Sequence, residues 1–284
     1  MAHSESQSQS TRRRQAADHR LHGDLLAEQG FIEEAIGEYQ QSGKLDSQDP
    51  DTSVALGDAY FAANMPQQAY RAYKKALSIH PRHAEAHFCL AEFWIHISRF
   101  AAAIHALEKA VKCDPTRHYY HCRLGELYLA RGDFHRARRQ FERAIELAPQ
   151  DGFYHHKLAD LYARRRQWDA AAAEYEVAIA CAPAEDFYNV RLSIIYVRQQ
   201  CFAKALQQLR RAYKINPENA VYLYLMGELL LLTDNPAAAL AAYRQAGPLD
   251  EYDRDWARRW HLRAALPSQM ARVGWDQEIY ESEG

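Results

Sequence analysis

Apolar residues recur along this chain at helical rather than strand spacing. Leu124, Leu127 and Tyr128, then Ala137, Phe141 and Ala144, fall three or four residues apart, which sets each group along one helix face. The pattern predicts two short amphipathic helices joined by a turn at Gly132-Asp133. Pro149 closes the second, because proline cannot continue a helix. The same arrangement returns every 34 residues. Pro81, Pro115, Pro149, Pro183 and Pro217 keep that period, as do Ala35, Ala69, Ala103, Ala137, Ala171, Ala205 and Ala239. A second small row runs Ala76, Ala110, Ala144, Ala178, Ala212 and Ala246, with Ser42 in register. An aromatic row runs Tyr60, Trp94, Tyr128, Tyr162 and Tyr196, and Gly23, Gly57, Ala91, Gly125, Ala159, Ser193 and Gly227 form a further small-residue row. Small positions let paired helices approach, and large rings fill the layer between units. One such unit cannot bury its apolar face alone, so stacked neighbours must supply the core.

The unit from His118 to Pro149, with Leu124-Gly125, Tyr128, Gly132, Phe134, Ala137, Phe141, Ala144 and Pro149 in place, resembles the tetratricopeptide repeat. The resemblance covers residues 16–248. It implies an all-α, right-handed helical-hairpin solenoid of about seven 34-residue units, beginning near Ala16, Pro50, Ala84, His118, Gly152, Asp186 and Ala220. The outer units depart from the pattern, with Leu26 and Leu230 in place of the aromatic, as terminal repeats often do. Residues 1–15 are expected to form a disordered polar tail. After the break at Gly247-Pro248, residues 249–266 are expected to form a C-terminal capping helix over the last repeat, with Tyr252, Trp256 and Trp260 along one face. Residues 267–284, with Trp275 and Tyr280, form the remaining tail.

Composition narrows the partners. Apolar residues make up 48% and charged residues 25% of the chain, and the net charge is −2, so the global basic field usual in nucleic-acid binders is missing. No apolar run reaches the length of a transmembrane helix. The five cysteines are odd in number and include no C-x-x-C, which points to a reducing, cytoplasmic setting rather than a disulfide framework.

The resemblance implies that the first helix of each unit lines a concave groove through its second, fifth, ninth and twelfth positions. The ninth-position row is Asp24, Asp58, Glu92, Glu126, Asp160, Ile194 and Glu228. The twelfth is apolar throughout. Phe88 and Tyr224 stand in the fifth row, and Tyr119, Phe153 and Phe187 in the second. The expected partner-binding set is therefore Asp58, Phe88, Glu92, Tyr119, Glu126, Phe153, Asp160, Phe187, Tyr224 and Glu228. Such a groove would take a basic, partly apolar protein segment. Two alternatives stay open. The carboxylates could simply pair locally, as Arg123–Glu126, Lys157–Asp160 and Asp160–Arg164 permit. Lys157, Arg164, Arg191 and Arg198 also leave room for a ligand of mixed charge. The opposite surface is basic, with Arg136, Arg138, Arg139 and Arg143 on one helix and Arg164-Arg165-Arg166 following.

No phosphate-binding glycine loop, H-E-x-x-H or G-x-S-x-G motif occurs. Cys113, His118, His121 and Cys122 match no common zinc spacing. Carboxylates come one per unit and do not converge, so neither catalysis, nor a cofactor, nor a metal site is expected. The leading expectation is a protein-binding adaptor or assembly factor. A fixed structural subunit of a larger complex, using its convex face and C-terminal helix, is the alternative. A non-catalytic module of a multi-chain enzyme is a third.

Overall fold

The computed structural model describes residues 2–264, and side chains from residue 9 to residue 260. The expected tail at 267–284, with Trp275 and Tyr280, lies outside the described residues. Fifteen helices and no strand occur among the described residues. Fourteen form seven hairpins: α1 (Ala2–Glu28) with α2 (Ile32–Leu45), α3 (Pro50–Ala62) with α4 (Pro66–Ile79), α5 (Ala84–His96) with α6 (Phe100–Cys113), α7 (His118–Ala130) with α8 (Phe134–Leu147), α9 (Gly152–Arg164) with α10 (Trp168–Cys181), α11 (Asp186–Arg198) with α12 (Phe202–Ile215), and α13 (Ala220–Leu232) with α14 (Pro236–Ala246). The last is α15 (Glu251–Ala264). Two compact bodies divide the chain between Leu147 and Ala148. Repeats one to four lie in the N-terminal body; repeats five to seven and α15 lie in the C-terminal body.

Each hairpin turns at one left-handed residue, at Gly30, Asn64, Ser98, Gly132, Arg166, Gln200 and Asp234. The next residue closes the turn onto the carbonyl five residues back, as in Met65 N–H to Tyr60 (2.8 Å) and Cys201 N–H to Tyr196 (2.8 Å). This is the Schellman arrangement that satisfies the last carbonyls of a helix. Between repeats, helices restart on side-chain caps: Asp49 accepts from the Asp51 and Thr52 amides, Asp151 from Phe153, and Asn219 from Val221.

The core follows the small-residue rows. Ala69, Ala103, Ala137, Ala171, Ala205 and Ala239 have no exposed surface. Gly57 faces the Tyr73 ring so closely that a Cβ there would lie 2.4 Å from a ring carbon, and Gly125 meets Phe141 in the same way at 2.7 Å. The glycine thus makes room for a large ring from the second helix.

In the N-terminal body, second helices pack on the following first helix, and first helices also touch one another (α1 with α3, α3 with α5).

One expectation requires correction. The helix begins at Ala2, so residues 2–15 extend α1 instead of forming a disordered tail. No proline or glycine interrupts the sequence before Gly23. The C-terminal helix is present as expected, and it packs on α13 of the last repeat and on α11 of the repeat before it.

Candidate functional site

The ninth-position carboxylates fall into two groups, decided by what the second helix offers. Tyr39 donates to Asp24 (2.8 Å), Tyr73 to Asp58 (2.7 Å) and Tyr243 to Glu228 (2.5 Å), and Tyr175 donates to Asp160. In each case the tyrosine lies 15 residues after the acid. Repeats three and four carry Leu107 and Phe141 at the tyrosine position and have no hydroxyl to give. There Arg123 serves instead, with Nε and Nη2 on Glu92 (2.7 and 2.8 Å) and Nη1 on Glu126 (2.9 Å). Repeat six has neither partner: Leu209 faces a repeat whose ninth residue is Ile194. The acid row is thus partly an internal pairing code, which the sequence carries as tyrosine and acid occurring together in the same repeat.

In the N-terminal body, Asp58 keeps an exposed edge, and Glu92 and Glu126 are half-buried. Crowding by neighbouring side chains, with Glu85 nearby, pushes the Asp58 carboxyl above the usual range, although bonds from Tyr73 and Cys89 oppose this. Phe88 and Tyr119, both half-buried, meet edge to face with ring centres 5.2 Å apart, and Tyr120 stacks on Phe88 at 5.0 Å. Tyr119 and Tyr120 both donate to Glu85 (2.9 and 2.6 Å), fixing this aromatic shelf. At the second, fifth, sixth and ninth positions of these first helices stand Asp24, Asp51, Asp58, Glu85, Glu92 and Glu126, against Arg20 and Arg123 as cations.

The C-terminal body differs. Burial pushes Asp160 up, but Arg191, His156 and Tyr175 outweigh it and hold the carboxyl below its usual range. Arg191 donates to both Asp160 and Tyr175. Phe153 and Phe187 are each 43% exposed, with Lys157 4.6 Å above the first ring and Arg191 5.7 Å from the second. Tyr224 and Glu228 are buried beneath the surface, and burial raises the Glu228 carboxyl. A cleft of about 310 Å³ opens beside Asp160, Arg164, Trp168, Arg191 and Arg198.

The histidine row is structural. His87 and His121 donate through Nε2 to the Pro81 and Pro115 carbonyls (3.0 and 3.1 Å), and His155 Nδ1 meets Glu174 (2.8 Å). Among the described residues no group of three metal-ligating side chains converges, and no helix is long and apolar enough to cross a membrane. The basic second-helix face is laced by local pairs, Arg136–Asp133 (2.5 Å), Arg138–Glu142 (3.4 Å) and Arg143–Glu146 (2.7 Å).

The chain resembles several solved structures. One, described as a functional characterization of Pseudomonas aeruginosa pilF, is 20% identical over 73% of this chain and 94% of that one, with a TM-score of 0.63. A chain of the APC/C hetero-tetramer Cut9–Hcn1 is 16% identical over 85% of this chain and 48% of its own, with a TM-score of 0.56. YrrB, described as a TPR protein with an unusual peptide-binding site, is 18% identical over 66% of this chain and 96% of its own, with a TM-score of 0.55. At these identities the likeness is one of fold. No curated protein matches by sequence. The tetratricopeptide repeat family matches residues 54–118, 122–186 and 190–253, and a second TPR repeat family matches 23–64. The chain, with its seven helical hairpins, belongs to the tetratricopeptide repeat family.

Proposed function

We propose that this protein is an interaction scaffold, an adaptor or assembly factor, whose N-terminal body binds a basic, partly apolar protein segment along its first helices. The observation that carries this reading is the charge at the second, fifth, sixth and ninth positions of these helices: six carboxylates stand there against two guanidiniums, beside the shelf of Phe88 and Tyr119. Asp58, Glu92 and Glu126 supply the field and the two rings supply apolar anchors. Phe153 and Phe187 offer further exposed rings in the C-terminal body, where Asp160 is neutralised by Arg191. Tyr224 and Glu228 act there by shaping the floor, since neither reaches the surface. All five cysteines are free thiols, which suits a cytoplasmic setting. The reading as a fixed structural subunit would rest mainly on the convex face, because Trp260 of the C-terminal helix is buried in its own chain.

The test uses labelled synthetic peptides that carry Lys or Arg between apolar anchors, with charge-reversed copies as controls. Glu92→Gln plus Glu126→Gln in the full chain is expected to weaken the basic peptides about tenfold and flatten their salt dependence. Equal binding of basic and acidic peptides, or an unchanged salt slope in the double variant, overturns the proposal.

A further inference from the structure

The C-terminal helix α15 covers the first helices of repeats six and seven. The helix lies on α11 and α13 and is joined to α14 through Gly247-Pro248, with Gly247 in the left-handed region (φ 68°). It binds by a narrow apolar strip. Trp260 is 2% exposed and Ala257 fully buried, and Trp256 sits with its ring centre 6.0 Å from that of Tyr222. Tyr252, earlier on the same face, is 71% exposed. The Trp260 indole N–H donates to the Ser193 hydroxyl at 3.3 Å.

The seat has a sequence signature. Trp260 docks on repeat six, the repeat in which the acid and tyrosine of its neighbours are replaced by Ile194 and Leu209. An indole could not be buried against a carboxylate without a desolvation cost, so the apolar replacement and the docked tryptophan belong together. The fit is nevertheless incomplete. A cleft of about 290 Å³ stays open between Phe187, Val190 and Ile194 on one side and Tyr252, Trp256 and Arg259 on the other. This cleft is open to solvent, so α15 covers only part of the face on which it lies. The outward side of α15 is charged, with Glu251, Arg254, Asp255 and Arg258 exposed.

We propose that α15 is a displaceable internal ligand, and that the groove over repeats six and seven receives an amphipathic helix of a partner protein bearing two aromatic side chains four residues apart. The partner's helix takes the place of Trp256 and Trp260. Tethering gives α15 a high effective concentration, so the partner must bind more tightly than α15 would as a free peptide. This site is separate from the acidic row of the N-terminal body, and either can fail without the other.

The experiment uses the full chain and a fluorescein-labelled peptide copying residues 249–264. The Trp260→Ala chain, with its own helix released, is expected to bind the peptide at least tenfold more tightly than the wild type. Adding Ile194→Arg to Trp260→Ala is expected to abolish that capture, while circular dichroism shows the repeats still folded. In the wild-type background, Ile194→Arg alone is expected to raise amide exchange in α15. Equal binding by wild type and Trp260→Ala, or no capture by either up to millimolar peptide, overturns the proposal. A stable wild-type dimer by light scattering that becomes monomeric in Trp260→Ala also overturns it, since α15 would then belong to the groove of a second copy.

Discussion

At the scale of single residues, the acid row shows how one residue type can serve two purposes. Glu228 is 1% exposed and accepts from Tyr243 at 2.5 Å, so it is a core residue that happens to be ionisable. Burial raises its carboxyl above the usual range. The folded state therefore holds this proton to higher pH than the unfolded chain does. Between the ordinary glutamate range and the raised value, the folded state binds more protons, and stability falls as pH rises through that window. Glu228→Gln is expected to remove this slope and to stabilise the protein at pH 8 by about 1 kcal/mol, because the amide oxygen can still accept from Tyr243. Tyr243→Phe is expected to cost about 1–3 kcal/mol, since a buried carboxylate loses a donor. Urea unfolding of both variants at pH 5 and pH 8 checks the pair; a wild-type slope retained in Glu228→Gln would refute the assignment. The acid row itself was legible from the 34-residue period. Its internal role was less so, because the donor comes from the opposite helix of the hairpin, and helical periodicity on one helix says nothing of the side chain that meets it.

At the scale of elements, helix existence followed from hydrophobic spacing, while two features of their ends and docking did not. Seven residues turn the hairpins with positive φ, but only Gly30 and Gly132 among them are glycine. Asn64, Ser98, Arg166, Gln200 and Asp234 take the same conformation with φ between 56° and 61°. The register of the array imposes the turn, overriding residue preference, so a search for glycine finds two of the seven. That strain is open to relief. Gln200 is exposed, its φ is 61°, and the turn around it is held by backbone bonds from its own N–H to Val197 (2.9 Å) and from Cys201 to Tyr196. Gln200→Gly is expected to stabilise the chain by about 1 kcal/mol, the left-handed penalty relieved less the added entropy of the unfolded state. A thermal midpoint that fails to rise by a degree or more would show that the glutamine side chain compensates locally. The position of α15 was equally hidden. Its Tyr252, Trp256 and Trp260 spacing shows that one face seeks cover, but the covering surface, α11 and α13, comes from residues more than 50 positions earlier for α11, including Ser193.

At the scale of the whole molecule, the first helices of the two bodies differ in charge. Those of the N-terminal body carry Asp58, Glu85, Glu92 and Glu126 with Arg123, whereas those of the C-terminal body carry Lys157, Arg164, Arg191 and Arg198 with Asp160, Asp186 and the buried Glu228. The formal charge of residues 1–147 is zero and that of residues 148–284 is −2, so this polarity lies in where the charges stand on the helices and not in the totals of the two halves. Electrostatic complementarity sets partner orientation and encounter rate more than raw affinity. Neutralising charge in each body should therefore act in opposite directions on one basic peptide. Glu92→Gln plus Glu126→Gln lowers its affinity, whereas Arg164→Gln plus Arg198→Gln is expected to leave it unchanged or raise it by up to about threefold, since like charge is removed from the face. An acidic copy of the peptide should show the reverse order. Fluorescence anisotropy at 50 mM and 300 mM salt separates the cases, because the differences are expected to shrink as roughly the Debye length contracts. If the arginine variants weaken the basic peptide as much as the glutamate variants do, the two bodies do not act as oppositely charged surfaces, and the rows of charge serve the fold alone.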